Sequence, residues 1–137
     1  VTIVGRSNIV GKPLADLMMA AGATVTQCHS HTSDVRFHTL PADIVVAAIG
    51  RPKFIGRGYI GYERVVIDVG INRDENGKLC GDCYVRHEKQ NDLRSPVPGG
   101  VGLLTRCALL ENTVRSYEAE MERNNDEITI REPEQKD

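Results

Sequence analysis

The chain has 137 residues, 40% hydrophobic and 26% charged, with a formal net charge of −2. That length fits one domain with a real core, and it is short for a complete two-substrate enzyme. The charge balance leaves no clustered basic face for nucleic acid, and no apolar run reaches the length of a membrane span, so neither partner is expected. Within this balance, Glu118–Asp137 carries eight acidic and three basic residues, a local charge of −5, and reads as a solvated acidic tail. Four cysteines, at 28, 80, 83 and 107, are too sparse for a disulfide framework. They read as reduced thiols in an intracellular protein.

In chain order, Val1–Val4, Ala23–Gln27, Asp43–Ile49 and Val65–Val69 are the clearest strands, rich in Val and Ile and apolar on both faces. The opening Val1-Thr2-Ile3-Val4 reads as a strand cut from inside a longer protein. Between the first two strands, Leu14, Leu17, Met18 and Ala21 recur at helical spacing, with Pro13 at an early helical position and Gly22 as a stop. Ser33–Leu40 is a short helix ended by Pro41, and residues 51–62 are mainly irregular. Asn76-Gly77 is expected to turn a hairpin, with both residues able to take positive φ. Residues 84–95 are polar and carry no clear element. Leu103, Cys107, Leu110, Val114, Tyr117 and Met121 make one apolar stripe on a final helix, expected to be core through its first two turns and frayed beyond Arg123. Continuous apolar strands with crossovers between them define an α/β fold, a Rossmann-like three-layer domain with a mainly parallel sheet, spanning 1–117.

The first strand runs straight into Gly5-Arg6-Ser7-Asn8-Ile9-Val10-Gly11-Lys12-Pro13. A strand, a glycine-bearing turn and a helix N-terminus together form the site where a dinucleotide pyrophosphate binds. The match to G-x-G-x-x-G is imperfect: Ser7 stands at the second glycine and Gly11 falls one residue late. A tight βα turn of any α/β protein explains the pattern equally well. The end of the second strand separates these readings. An NAD-selective fold places Asp or Glu there for the ribose 2′-OH. Cys28-His29-Ser30-His31-Thr32 contains no acid, and Ser30 with Arg6 supplies a hydroxyl and a guanidinium suited to a 2′-phosphate. NADP is therefore the expected cofactor. His29 and His31 are read as passive loop histidines.

Gly-Arg-Ser-x-Ile-Val-Gly-x-Pro at 5–13, Cys-His-Ser-x-Thr at 28–32, Ala-Asp-Ile-Val-Val-Ala-Ala-x-Gly-x-Pro at 42–52, Val-Ile-Asp-Val-Gly-Ile-Asn at 66–72, Pro-Val-Pro-Gly-Gly-Val-Gly at 96–102 and Leu-Leu-Glu-Asn-Thr at 109–113 occur in one order. In that order they resemble the methylenetetrahydrofolate dehydrogenase–cyclohydrolase family over residues 1 to about 115. The resemblance implies NADP held by Gly5, Arg6 and Ser7, Ser30 near the 2′-phosphate, and Ile71 beside the nicotinamide end. It further implies that Pro98, Gly99, Gly100, Val101 and Gly102 line the folate side, where consecutive glycines let main chain approach a flat ring.

In the intact protein the family chemistry is hydride transfer from 5,10-methylene-tetrahydrofolate to NADP+, then hydrolysis of the methenyl product to 10-formyl-tetrahydrofolate. The family's catalytic lysine and tyrosine belong to an N-terminal domain absent from this chain. No catalytic residue is therefore expected here, and the chain should bind cofactor without turnover. A homodimer and a cytoplasmic location are the family expectations. The chain departs from the family at Leu103-Leu104-Thr105, where Pro-Met-Thr is usual, and the loss of that proline frees φ at the helix start.

Cys80-Gly81-Asp82-Cys83, with His87 beyond, invites a redox or zinc reading. The family usually has apolar residues at both cysteine positions and no fourth ligand is evident, so no metal is expected. Asp68, at a strand's C-terminal end, is either a site residue or a turn cap. A second reading of the whole chain is a non-catalytic nucleotide-binding or interaction module diverged from this family. Another Rossmann dehydrogenase is disfavoured by the Pro-Gly-Gly-Val-Gly block.

Overall fold

The computed structural model describes residues 1–84 and 93–131. Five strands, β1 (Thr2–Val4), β2 (Thr26–Cys28), β3 (Ile44–Ala47), β5 (Val65–Asp68) and β9 (Leu93–Arg94), form one sheet in the order β2-β1-β3-β5-β9. Every pairing in it is parallel. The expected strands are all present, three of them shorter at their ends and the second displaced from 23–27 to Thr26–Cys28, and β9 is an addition that the polar flanks of Leu93 conceal. Helix α1 (Gly11–Ala20) crosses from β1 to β2, and the short helix α2 (Val35–Thr39) leads from β2 back towards β3. Asp34 caps α2 by accepting a hydrogen bond from the Arg36 N–H at 3.0 Å. Gly22 takes φ 82° just after α1, as its stop position requires.

Alternate residues of each strand face opposite ways, so two cores form. Val4, Cys28, Val45, Ala47 and Val66 pack with Val35 of α2 and with Phe54, Tyr59 and Ile60. Ile3 and Val46 pack with Leu14 and Ala15 of α1 and with Ile44 and Ile67. Helix on one face and helix on the other gives the expected three layers. Apolarity on both faces explains why these strands read as continuous hydrophobic runs.

The segment 51–62 is more ordered than its glycines suggested. Ile55–Gly56 forms β4, which pairs in parallel with β8 (Cys83–Tyr84), and a 3-10 turn spans Arg57–Tyr59. The expected hairpin exists between β6 (Asn72–Arg73) and β7 (Leu79–Cys80). Its turn differs from the expected one: Gly77 alone has positive φ, 74°, and its N–H donates to the Asp74 carbonyl. Asp74 N–H in turn donates to Lys78 O at 2.9 Å, so the loop is the three-residue kind with a left-handed glycine. The Asp74 carboxylate accepts from the Asn76 and Lys78 N–H groups and holds the bend closed.

Two compact units occur, Val1–Gly102 and Leu103–Asp137. Helix α3 (Val101–Arg131) supplies most of the second. Its apolar stripe is not core in the first two turns: Leu103 is 47% exposed and Cys107 is exposed too. Nor does the helix fray beyond Arg123, since it continues to Arg131. Glu118-Ala119-Glu120-Met121-Glu122-Arg123 are strong helix formers, and the sequence has no Pro or Gly between Gly102 and Pro133. Arg115 and Glu111 add an ion pair at 2.6 Å one turn apart. Among the described residues no helix is long and apolar enough to cross a membrane.

Candidate functional site

The parallel registers align Val4 with Cys28 and with Ala47, and Ala47 with Asp68. The loops that follow β1, β2, β3 and β5 therefore emerge along one edge. Chain order reverses there: β2 lies on one side of β1, while β3 and β5 lie on the other. The crevice at such a reversal, outside the carboxyl ends of the strands, is where open α/β sheets bind ligands.

Gly5 opens the first loop with φ 130°, and a Cβ there would overlap the Ala48 carbonyl oxygen. Ala48 N–H donates to Val4 O at 2.8 Å and Gly5 N–H to Cys28 O at 2.9 Å, which fixes this glycine against both flanking strands. Gly11 is equally constrained, because a Cβ would strike the Gly5 carbonyl. The late glycine of the loop thus packs the helix onto the strand end, the role that the third glycine of a dinucleotide motif performs. Ser7 Oγ accepts from Val10 N–H at 3.2 Å and Gly11 N–H at 3.3 Å, capping the helix that Val10 itself leaves uncapped. A hydroxyl that accepts twice still has its own proton to donate, so Ser7 remains able to reach a phosphate oxygen. Arg6, Ser7, Asn8 and Ile9 are exposed, and among the described residues the Arg6 side chain has no hydrogen-bond or ion-pair partner.

The second loop is organised by Thr32. Its Oγ1 accepts from His29 N–H at 2.9 Å, while its own N–H donates to His29 O. His31 N–H donates to His29 Nδ1 at 3.1 Å and the two rings meet edge to face. This leaves Ser30 exposed at the tip. The first acid beyond β2, Asp34, is held by Arg36 in a two-point ion pair of 3.0 and 3.2 Å. The Arg36 side-chain hydrogen bond, followed by its backbone N–H, keeps that carboxyl below the ordinary range. Cys28 is buried beneath the loop, and burial pushes its thiol up, partly opposed by a hydrogen bond with Thr32.

Ile71 projects from the loop after β5 and is 72% exposed, which is anomalous for a large apolar side chain with no structural role. Gly5, Arg6, Ser7, Ser30 and Ile71 thus lie on loops of one edge. Pro98, Gly99, Gly100, Val101 and Gly102 follow β9 and lead into α3. The Val97–Pro98 peptide is cis, Gly99 has φ 97°, and a Cβ on Gly100 would meet the Pro96 carbonyl. Ser95, just before this turn, anchors it to β5: its N–H donates to Val66 O at 3.0 Å and its Oγ accepts from Asp68 N–H at 2.8 Å.

Sequence reasoning left Asp68 undecided and missed Asp82. Both are buried carboxylates, and both bind backbone amides rather than facing a cavity. Asp68 accepts from Gly70, Asp82 and Cys83 N–H groups at 2.9–3.0 Å. Asp82 accepts from Ile49, Gly50 and Arg51 N–H groups and from the Asn72 side-chain amide. The cysteines around Asp82 drew attention to metal and redox chemistry. Cys83 is buried and Cys80 partly so, and both are free thiols. Burial, then the neighbouring Asp68 charge, pushes the Cys83 thiol far above its ordinary value, away from the thiolate that either chemistry needs. Among the described residues no group of three or more His, Cys, Asp or Glu is placed to hold a metal ion. His87 lies outside the described residues.

A parallel sheet with an order reversal at β1, a glycine-constrained loop feeding a helix, and unpaired polar groups on the same edge define a dinucleotide-binding domain of the Rossmann class. The family described as the tetrahydrofolate dehydrogenase/cyclohydrolase NAD(P)-binding domain matches residues 1–121. The chain belongs to that family.

Bifunctional protein FolD of Azoarcus sp. (strain BH72) is 57% identical over 121 residues, covering 85% of this chain and 42% of that protein. The Bacillus subtilis (strain 168) protein of the same name is 53% identical over 117 residues, covering 85% of this chain and 41% of its own length. The crystal structure of the Campylobacter jejuni FolD methylenetetrahydrofolate dehydrogenase/cyclohydrolase is 40% identical, with a TM-score of 0.78, over 87% of this chain and 43% of that one. The Trypanosoma brucei enzyme, complexed with NADP cofactor and inhibitor, is 35% identical with a TM-score of 0.76, over 88% of this chain and 43% of that one. The chain spans less than half the length of these relatives.

Proposed function

We propose that this chain binds NADP along the carboxyl edge of its sheet, as the cofactor domain of a bifunctional methylenetetrahydrofolate dehydrogenase and methenyltetrahydrofolate cyclohydrolase. One observation carries the cofactor choice. The Arg6 guanidinium and the Ser30 hydroxyl are exposed on neighbouring loops, while residues 28–32 contain no carboxylate to repel a 2′-phosphate. The donor set fits the cofactor: Gly5 and Ser7 at the helix entrance face the pyrophosphate, Arg6 and Ser30 the 2′-phosphate, and Ile71 the nicotinamide end. Bound NADP+ would supply a hydride acceptor. This chain's own residues bind and orient it and cover one face of the ring. Pro98–Gly102 border the folate, 5,10-methylene-tetrahydrofolate. Proton transfer and cyclohydrolase groups come from a preceding domain, so the isolated chain binds without turnover. The assembly is a cytoplasmic homodimer.

The test is a calorimetric titration of the 137-residue chain and its Arg6→Ala variant with NADP+ and with NAD+. A single charge-assisted contact corresponds to roughly 1.5–3 kcal/mol, so the variant should lose about 10- to 150-fold in NADP+ affinity and little in NAD+ affinity. Equal affinity of the parent chain for both nucleotides would overturn the assignment of Arg6 and Ser30.

A further inference from the structure

Three parts of the chain, residues 49–51, 68–72 and 82–83, converge on two buried carboxylates. Asp82 is fully buried and Asp68 only 3% exposed, and among the described residues neither has an ion-pair partner. Among the described residues, amide donors, with the Cys83 thiol beside Asp68, compensate their charge, as a carboxylate taken out of water requires. Asp82 Oδ2 accepts from Ile49 N–H at 2.6 Å and Gly50 N–H at 3.0 Å; Oδ1 accepts from Arg51 N–H at 2.9 Å and Asn72 Nδ2 at 2.8 Å. Asp68 Oδ1 accepts from Gly70 N–H at 3.0 Å and from the N–H of Asp82 itself, also at 3.0 Å. Neither Gly70 nor Gly81 has room for a Cβ, since one would strike the Asp82 carboxylate and the other that of Asp68. The consequence falls on Ile71. Its two neighbours are each tied to one of these carboxylates, while its own side chain stands exposed between them.

We propose that Asp82, seated on Asp68, is a positioning residue for the nicotinamide half of the bound dinucleotide, clamping the loops after β3 and β5 so that Ile71 is presented in one fixed place. This rests on the reading of Ile71 as the nicotinamide contact. The adenosine half depends on Gly5–Ser7 and Ser30, none of which touches either carboxylate. The two halves of the cofactor therefore respond differently when the clamp is opened.

The full 137-residue chain, its Asp82→Asn variant and its milder Asn72→Ala variant are titrated with NADP+ and, separately, with adenosine 2′,5′-bisphosphate, which lacks the nicotinamide half. Asp82→Asn turns an amide N–H2 towards one pair of donors. It should weaken NADP+ roughly tenfold or more while leaving the bisphosphate within about twofold. Asn72→Ala, which leaves the three backbone bonds to Asp82 intact, should shift the same ratio in the same direction by a smaller factor and decides the matter if Asp82→Asn does not fold. The exchange Asp82→Asn with Asn72→Asp restores a donor–acceptor pair between the two side chains and should recover several-fold of the lost NADP+ affinity. Equal weakening of both ligands, or of neither, overturns the proposal. Failure of the parent chain to bind the bisphosphate overturns instead the nucleotide site itself, so the two failures are distinguishable.

Discussion

Replacing Gly5 by Ala tests the geometry of the nucleotide loop most directly. Two costs combine at this position. The φ of 130° lies where L residues are strained, on the order of 1–3 kcal/mol. The added Cβ also overlaps the Ala48 carbonyl, a backbone atom that cannot turn aside. Relief requires β3 to move away from β1, against the Ala48 N–H to Val4 O bond, and overpacking of this kind costs roughly 1–3 kcal/mol more. The sum is about 2–6 kcal/mol, enough to unfold much of a marginal domain.

Gly77→Ala supplies the control. Its φ of 74° is also left-handed, yet nothing lies within 4 Å of the added methyl. Its cost should therefore be the backbone term alone, about 1–2 kcal/mol. Urea unfolding followed by far-ultraviolet circular dichroism gives both values from the midpoints, provided the slopes agree. If Gly5→Ala is no more destabilising than Gly77→Ala, the close approach of the β1 and β3 loops has been misread, and with it the shape of the phosphate site.

Alkaline pH should expose the buried thiol. Cys83 stays a thiol in the fold while its unfolded counterpart ionises near 9.0, so its contribution is complete below that pH and is lost as pH rises. The slope is up to about 1.4 kcal/mol per pH unit above 9, and it should be missing in Cys83→Val when both proteins are unfolded in denaturant across pH 8–10.5. On the acid side the sign reverses. The Asp34 carboxyl is held low by the Arg36 side chain, so its support is present above pH 3.8 and fades as pH falls further; Asp34→Asn should flatten that acid limb of the melting curve. Ile71→Ala removes an exposed side chain, so it should leave the unfolding midpoint within about 0.5 kcal/mol while weakening NADP+ in the same titration.

How much of this was legible depends on what each residue contacts. The four long strands announced themselves because burial on both faces demands Val and Ile at consecutive positions, as in Ile44-Val45-Val46-Ala47. The strand Leu93–Arg94 could not, since two residues pairing at a sheet edge need no hydrophobic pattern. The hairpin was found from Asn76-Gly77, but its turn type depends on Asp74 catching two amides, a tertiary detail. The stripe on α3 has helical spacing whether or not anything covers it, and periodicity cannot report coverage. At the proposed site, Gly5, Arg6, Ser7 and Ser30 suggest themselves through local chemistry. Asp82 does not, because its four donors come from positions 49–51 and 72, which no local pattern links to it.

β1 stands between β2 and β3, the strand that ties the sheet's edge to its centre. Val1 lies at the end opposite the loops, where its backbone nitrogen donates to Thr24 O at 2.8 Å and its carbonyl accepts from Thr26 N–H. A tether attached at Val1 therefore leaves the molecule on the far side from the nucleotide crevice, and a chain immobilised through it keeps the crevice open to solution. Trimming from the same end is another matter. Loss of Thr2–Val4 would take out the strand that joins β2 to β3 and leave the loops bearing Ser30 and Ile71 on two separate pieces of sheet.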